Sequence, residues 1–251
     1  MKKVTVLIFL LIINLSLSQD LKGKVTYQAS LNSEDFLTRL EKNTSLDKQR
    51  KDYQLKNVST SSEMNFHLLF RDDESLFQAE YDLITKRNLG YKYNRTGEMA
   101  QDDRIYYTNL KTKENFYQSF WTKEVLVENE EINWVLSQET KKIGNQICYK
   151  ATATITTEQL EELNFMSPVI AWYTPEIPVP FGIQRFNGLP GLILELVADY
   201  QGGKVFFKAT KIELNTKEEI KIKKPKGKKV SEQEYIKLID KLNQARQSKA
   251  N

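Results

Sequence analysis

The chain has 251 residues, including 37 Lys or Arg and 33 Asp or Glu, and its 40% apolar content is enough for a substantial core, which excludes a disordered chain. The only cysteine, Cys148, excludes an intramolecular disulfide. Residues 215–251 carry 11 basic and 5 acidic side chains, so the positive charge belongs to this tail. A nucleic-acid-binding face on the whole domain is therefore not expected.

Residues 1–18 have the pattern of a secretory signal peptide. A basic start at Lys2 precedes an apolar run over 4–13, and Ser16-Leu17-Ser18 supplies small residues at the cleavage site. The run is shorter than the ~20 residues of a membrane-spanning helix. We expect cleavage near Ser18, which leaves 19–251 as one domain in the periplasm or cell envelope, or secreted.

Period-two alternation of apolar side chains dominates the first two thirds of the mature chain. It predicts a first strand over 23–31 with Val25, Tyr27 and Ala29 on one face. One or two surface helices are predicted over 32–57, with Ser33 as the cap of the first. Further strands are predicted at 64–70, 75–81, 104–109, 114–121, 124–128, 134–138 and in a hairpin over 141–157 that turns at Gly144-Asn145, with a long loop over 88–103.

Five of the six prolines fall within residues 168–191, interleaved with aromatic residues. Proline removes a ladder donor, so this stretch is predicted to be a rigid, irregular connection whose aromatic side chains pack inward. The aromatic and acidic side chains of this region and of the next strand are the candidate ligand-binding or partner-binding residues. They are Trp172, Tyr173, Glu176, Phe181, Phe186 and Glu195.

Residues 219–251 are predicted to form a basic strand followed by an amphipathic helix. Ile220 and Ile222 alternate with lysines, and Ser231-Glu232-Gln233-Glu234 is a capping box. After a strand over 205–214, this helix closes the chain. The run Lys221–Lys229 has two interpretations: a site for anionic lipid head groups or polysaccharide, or protection of an exposed edge strand.

The segment before the last predicted strands contains a Pro-Gly turn. Pro190-Gly191 fits a type II turn with a positive φ at the glycine, and the residues that follow are apolar on both faces, as in a buried central strand. The structural motif comprises Gly188, Leu189, Pro190, Gly191, Leu192 and Ile193.

This motif resembles that of the GLPGLI family of exported Bacteroidetes proteins. The upstream segment 171–178 and the lysine-rich tail are also similar to that family, whereas Gly182-Ile183 stands where the family usually has Gly-Pro. The resemblance covers most of the mature chain and is most specific over 143–214. It implies an exported protein and supplies no catalytic residues to carry over.

Few residues have catalytic potential. His67, the only histidine, lies in an apolar run, and Cys148 lies within a strand pattern, so both are predicted to be structural. Glu195 is predicted to pair with a basic residue on a neighbouring strand, with ligand binding or catalysis as the alternative. The acidic clusters Asp72-Asp73-Glu74 and Asp102-Asp103 are expected in solvated loops. We predict no catalytic site, metal site or cofactor.

The predicted fold is mainly β with minor α: a curved antiparallel sheet or half-barrel with a helical insertion near the N-terminus and a C-terminal helix. The predicted function is a non-catalytic binding or accessory module for an apolar ligand, a lipidated partner or a protein partner near the outer membrane. Two alternatives stay open: a hydrolase using carboxylates such as Glu176 or Glu195, and a structural envelope component. No nucleic-acid partner and no integral membrane segment are expected.

Overall fold

The computed structural model describes residues 21–80, 94–154, 168–200 and 203–250. Within these ranges the chain forms one open sheet of 12 strands and four α-helices, which confirms the mainly β class with minor α. The strands are β1 (Lys22–Asn32), β2 (Met64–Arg71), β3 (Glu74–Ala79), β4 (Arg104–Asn109), β5 (Glu114–Ser119), β6 (Val125–Glu128), β7 (Asn133–Ile143), β8 (Gln146–Thr154), β9 (Ile170–Thr174), β10 (Leu192–Tyr200), β11 (Gly203–Leu214) and β12 (Lys228–Val230). The helices are α1 (Glu34–Lys42), α2 (Lys48–Ser59), α3 (Arg95–Met99) and α4 (Glu232–Ala250), and Phe120–Thr122 forms a 3-10 turn.

The strand order is β12-β6-β5-β4-β3-β2-β1-β11-β10-β9-β8-β7. Two antiparallel meanders, β1 to β6 and β7 to β11, meet where β1 pairs with β11. The one parallel contact in the described sheet joins β12 to β6. Val25, Tyr27 and Ala29 are fully buried on one face of β1, as the alternation predicted.

One aromatic core unites strands from both halves of the sheet. Phe66 on β2 stacks on Phe77 at 5.5 Å between ring centroids and meets Phe207 of β11 at 5.4 Å. The same cluster contains side chains as distant in strand order as Val127 of β6 and Cys148 of β8. A single sheet can bring both ends into one core only by curving, so the curved antiparallel sheet is confirmed.

The connection between β9 and β10 fills the concave face of this sheet. Six apolar side chains of the connection are at most 6% exposed: Ile177, Val179, Phe181, Ile183, Phe186 and Leu189. Phe181 lies 6.2 Å from Phe70, and Phe186 lies 6.3 Å from Trp134. Inward packing is confirmed for these two rings, and the chain itself occupies the space in which an apolar ligand was expected. The irregular stretch predicted over 168–191 is wrong at its start, because Ile170–Thr174 form β9 and Trp172 does not pack inward.

The predicted type II turn at Pro190-Gly191 is wrong. The Gly191 amide donates to the Leu189 carbonyl oxygen at 2.8 Å, a tighter turn around Pro190, and the positive φ of the motif belongs to Gly188, at 91°. Gly191 is required for a different reason. A Cβ there would lie 2.2 Å from the Thr174 carbonyl oxygen, so only glycine allows this close approach to the end of β9.

The strand predicted around Ile220 and Ile222 is also wrong, since residues 219–226 have no regular structure. Ile220 is buried, and Ile222 packs against a second apolar cluster formed by Tyr107, Phe116 and Leu126. Ile222 therefore anchors the chain on the outer face of β4 to β6, and neither residue pairs in a ladder. The edge strand β12 begins only at Lys228.

Helix capping follows the sequence at one end of the chain and departs from it at the other. At α4, the Ser231 amide donates to Glu234 Oε2 at 2.9 Å and the Glu234 amide to Ser231 Oγ at 3.2 Å, which confirms the capping box. Ser33 occupies the N-cap position of α1, but its side chain makes no capping hydrogen bond. Asn32 Oδ1 accepts from the Glu34 amide instead, at 2.9 Å.

Two loop predictions need correction. The segment predicted as a loop over 88–103 contains α3 in its described part, and Asp102 is only 6% exposed rather than solvated. The signal peptide, Tyr81, residues 88–93 and residues 155–157 of the predicted hairpin lie outside the described ranges. No described helix has the length and apolar character to cross a bilayer.

Candidate functional site

A cleft of about 530 Å³ opens beside residues 185–188 of the β9–β10 connection. Its walls are the end of β4, the β4–β5 turn, the start of β5 and residues 128–132. The β9–β10 connection completes it with Arg185, Asn187 and Gly188. Side-chain amides, one hydroxyl and carboxylates contribute to its lining, together with Lys113 and the apolar side chains of Leu110 and Ile132. Those used below are Thr108, Glu114, Asn115, Asn129, Arg185 and Asn187.

Arg185 is a buried charge in this cleft, with its side chain only 8% exposed. Its Nη2 lies 3.3 Å from Glu232 Oε2, in the first turn of α4. The hydroxyl of Tyr117 donates to the other Glu232 oxygen at 3.0 Å. Since a buried guanidinium needs a partner, this contact ties the β9–β10 connection to the C-terminal helix.

The surroundings of this pair are also polar. The guanidinium of Arg104 lies 4.3 Å from the centroid of the Tyr117 ring, and its buried Nη1 has no hydrogen-bond partner among the described residues. Burial raises the pKa of the Tyr117 and Tyr106 hydroxyls. Both tyrosines therefore stay neutral and act as hydrogen-bond donors at physiological pH.

Asn187 fixes the position of the connection at the cleft. Its Nδ2 donates to Thr108 Oγ1 at 3.2 Å, its Oδ1 accepts from the Gly182 amide at 2.8 Å, and its carbonyl accepts from Trp134 Nε1 at 2.8 Å. These contacts join β4 to the edge strand β7 through one residue. The cleft therefore has a rigid wall.

Opposite Asn187, the amide of Asn129 has spare hydrogen-bonding capacity. Its Nδ2 donates to Asn115 Oδ1 at 2.9 Å, while its buried Oδ1 has no partner in the described part of the chain. A buried acceptor without a partner is costly.

Glu114 lies at the lysine-rich side of the cleft. Lys224 Nζ approaches its two carboxylate oxygens at 2.6 and 2.8 Å, and Lys229 lies 3.4 Å away. The hydrogen bond from Lys224 is the main reason that the pKa of Glu114 is lowered. Glu114 is thus an ionised carboxylate held by two lysines.

The residues selected from the sequence lie elsewhere, because none of the six lines this cleft. Tyr173, Phe181 and Phe186 are at most 6% exposed and belong to the core. Glu176 is exposed in the turn after β9. Whether these residues contact a ligand or a partner stays a prediction.

Trp172 and Glu195 share the outer face of the sheet with lysines. Lys141 Nζ lies 4.4 Å from the centroid of the Trp172 ring and forms a salt bridge with Glu195. Lys141 is on β7, which is separated from β10 by β8 and β9. Glu195 is therefore paired with a lysine, but one that reaches across Trp172 rather than one on an adjacent strand.

His67 and Cys148 have structural surroundings. His67 Nδ1 lies 3.3 Å from Thr26 Oγ1 and Nε2 lies 3.5 Å from Glu80 Oε1, and burial lowers the pKa of the ring. Burial raises the pKa of the Cys148 thiol to about 11, so it stays protonated. In the described ranges no three His, Cys, Asp or Glu side chains form a metal-binding group.

Sequence reasoning missed Arg185, Asn187 and Thr108. One signal was available: Arg185 is the only basic residue between Ile177 and Tyr200, within a stretch predicted to pack inward. A charged side chain in such a segment must find a carboxylate or reach solvent. The position of its partner, Glu232, is a long-range property of the fold.

Comparison with known proteins adds a family match and a fold match. The family model "Protein of unknown function (Porph_ging)" matches residues 157–195, a range that includes β9, the β9–β10 connection and the start of β10. No curated protein sequence gives a significant match to the chain.

The fold is similar to part of PNGF-II. The structure of PNGF-II in the P21 space group matches with a TM-score of 0.51 and 15% identity over 87% of this chain and 33% of that chain. The C2 form gives a TM-score of 0.50 and 15% identity over 87% and 32%. This chain thus spans about a third of the length of PNGF-II, and the likeness is one of fold alone. A putative outer membrane lipoprotein-sorting protein domain from Vibrio parahaemolyticus matches with a TM-score of 0.28 and 9% identity over 79% of this chain and 87% of that chain.

Proposed function

We propose that this chain is an exported, envelope-associated binding protein of the GLPGLI type, and that the cleft beside Arg185 holds a peptide segment of a protein partner. The signal-peptide pattern of residues 1–18 and the family match over residues 157–195 support export and the family assignment. The cleft supports binding of a polar ligand.

The observation that carries this proposal is the position of Arg185 at the cleft. Among the described residues its side chain makes one hydrogen bond, to Glu232, and a guanidinium has five N–H donors. The remaining donors can bind a carboxylate of the ligand.

A peptide can use both the polar and the apolar parts of this lining. Side-chain amides present both donors and acceptors, and so does a peptide backbone, whereas the concave apolar face is already filled by residues 175–191. Of the ligands predicted from the sequence, the protein partner is therefore the one that the geometry favours.

The test begins with a random heptapeptide library displayed on phage and selected against the purified protein. Enriched peptides are synthesised with a free or an amidated C-terminus, and their dissociation constants are measured by fluorescence polarisation. Leu110→Trp places a large ring at the cleft, where Leu110 is 40% exposed. Leu136→Trp is the matched control, since Leu136 is 54% exposed on β7.

We expect Leu110→Trp to weaken binding at least about tenfold, which corresponds to roughly 1.4 kcal/mol. Leu136→Trp should leave it unchanged. Equal binding by both variants, or no enrichment of peptides above background, would reject the cleft as a peptide site. Retention of the parent's circular-dichroism spectrum and urea midpoint shows that each variant is folded.

The hydrolase alternative receives no specific support from the carboxylates named for it. Glu195 is held in a salt bridge with Lys141, and Glu176 is exposed in a turn. The double variant Glu176→Ala, Glu195→Ala tests that alternative directly, since any hydrolytic activity that depends on these groups should disappear with it.

A further inference from the structure

A tryptophan is displayed to solvent at the turn between β5 and β6. Trp121 is 69% exposed and lies in the 3-10 turn Phe120–Thr122, whereas the sequence placed it at the end of a strand. Tryptophan is usually highly buried because of its large apolar ring. Exposure to this degree calls for a reason.

The turn that carries Trp121 is firmly held. The Phe120 amide donates to the Asp103 carbonyl at 2.8 Å, and the Trp121 amide donates to Ser119 Oγ at 3.2 Å. The rings of Phe120 and Trp121 meet edge to face at 5.3 Å between centroids. The exposure of Trp121 is therefore a feature of an ordered turn.

Lysines surround this turn. Gln118 Nε2 donates to the carbonyl oxygens of Lys123 and Lys226 at 2.6 and 2.8 Å, and the Lys228 amide donates to the Glu124 carbonyl at 2.8 Å. The chain segment 226–228 is thus fastened beside the turn. Lys123 Nζ itself lies 4.3 Å from the centroid of the Phe120 ring.

Lys123, Lys226 and Lys228 differ from the neighbouring Lys224 and Lys229 in that no carboxylate of the described residues pairs with them. Lys224 and Lys229 are neutralised by Glu114, and Lys229 also by Glu128. Lys123, Lys226 and Lys228 are exposed and make no ion pair with any described residue. Glu124, on the same turn, is the nearest exposed carboxylate in sequence, so the surface carries a net positive charge.

We infer that Trp121 with Lys123, Lys226 and Lys228 forms a docking surface for a membrane leaflet that contains anionic phospholipids. Tryptophan is favoured at the membrane–water interface because its ring is apolar and its indole N–H is polar. Lysines next to it are attracted to anionic head groups over about a Debye length. This inference does not rest on the peptide cleft.

The test is vesicle flotation with the exported protein, whose N-terminus is verified by mass spectrometry. Chains that retain residues 1–18 are excluded, because the apolar run over 4–13 would bind vesicles by itself. Vesicles contain phosphatidylcholine alone or a mixture with phosphatidylglycerol. The shift of tryptophan fluorescence on binding is measured in parallel.

Two variants remove the surface, and each has a matched control. Trp121→Ala is compared with Tyr53→Ala, which removes an aromatic ring that is 66% exposed on α2. The triple variant Lys123→Gln, Lys226→Gln, Lys228→Gln is compared with a triple variant of equal net charge on α1 and α2. The control substitutions are Lys42→Gln, Lys48→Gln and Lys56→Gln.

We expect binding only to the anionic vesicles, with a blue shift of fluorescence that Trp121→Ala abolishes. The surface triple variant should lose about fivefold in affinity per lysine, about a hundredfold in all, while both controls stay within about threefold of the parent. Equal losses in the surface and control variants would overturn the inference. So would binding to a soluble anionic polysaccharide such as alginate in the absence of vesicle binding.

Discussion

Substitution of Gly191 by alanine tests the geometry of the motif most directly. The added Cβ would lie 2.2 Å from the Thr174 carbonyl oxygen and 2.6 Å from its carbonyl carbon. Both atoms are backbone, so relief requires β9 and β10 to separate at this point. Overpacking of a well-packed site costs about 1–3 kcal/mol, and because a rigid backbone receives the contact we expect roughly 3 kcal/mol for Gly191→Ala.

Gly188 is the matched control in the same motif, because its need for glycine has a different cause. Its φ is 91°, and a Cβ there would meet nothing within 4 Å. Gly188→Ala should therefore cost about 1–2 kcal/mol, the penalty of the left-handed region. Asparagine tolerates that region better than alanine, so Gly188→Asn should be milder than Gly188→Ala, whereas Gly191→Asn should be no milder than Gly191→Ala.

The measurement is urea unfolding followed by far-ultraviolet circular dichroism and tryptophan fluorescence, with the free energy obtained by linear extrapolation. For a domain of this size each kcal/mol also lowers Tm by about 2–4 °C. A cost below about 1 kcal/mol for Gly191→Ala would refute the close approach to Thr174. If Gly191→Asn proved more stable than Gly191→Ala, the result would instead support a type II turn with a positive φ at residue 191.

Three further predictions concern single side chains. Ser231→Ala should lower the free energy of unfolding by about 1 kcal/mol, because the Ser231 hydroxyl accepts a capping hydrogen bond. Ser33→Ala removes no capping bond and should change that free energy by less than about 0.5 kcal/mol. Equal costs in urea unfolding would contradict this. The Cys148 thiol, buried and with its pKa raised to about 11, should not react with Ellman's reagent at about pH 8 in the native protein but should react after unfolding in guanidinium. The lowered pKa of Glu114 means that its pairing with Lys224 stabilises the fold above its ordinary pKa of 4.5 and is lost as the pH falls below that value. Glu114→Gln should therefore be less stable than the parent by about 0.5–1 kcal/mol at neutral pH, and the two should converge in acid; a constant difference across the pH range of urea unfolding would disprove the assignment.

Elements governed by neighbours in sequence could be predicted from the residues alone. The alternation of Val25, Tyr27 and Ala29 determines which face of β1 is buried, because side chains in a strand point to opposite faces in turn. The capping box at Ser231 and Glu234 depends on residues three positions apart. The hairpin turn at Gly144-Asn145 likewise depends on a local signal, and Gly144 has a φ of 59°.

The candidate cleft could not be predicted in this way. Arg185 and Glu232 are 47 positions apart, and Asn187 and Thr108 are 79 positions apart. The local sequence around Arg185 or Asn187 does not identify the partner of that residue, since a buried arginine indicates only that some carboxylate is near. The aromatic residues chosen as ligand contacts, Phe181 and Phe186, are those that the fold uses for its own core.

The sequence by itself determined the position and buried face of elements with a clear local pattern, such as β1 and α4, and the N-terminal pattern that predicts export. The tertiary structure alone decided which contacts those apolar residues make. Ile220 and Ile222 have strand periodicity but lie in no strand, and Ile222 packs on the outside of the sheet. Gly191 has the sequence context of a turn residue but is needed for its close approach to Thr174. Periodicity records the direction of a side chain relative to its own backbone, whereas the identity of its neighbour depends on how distant segments approach one another when the sheet curves.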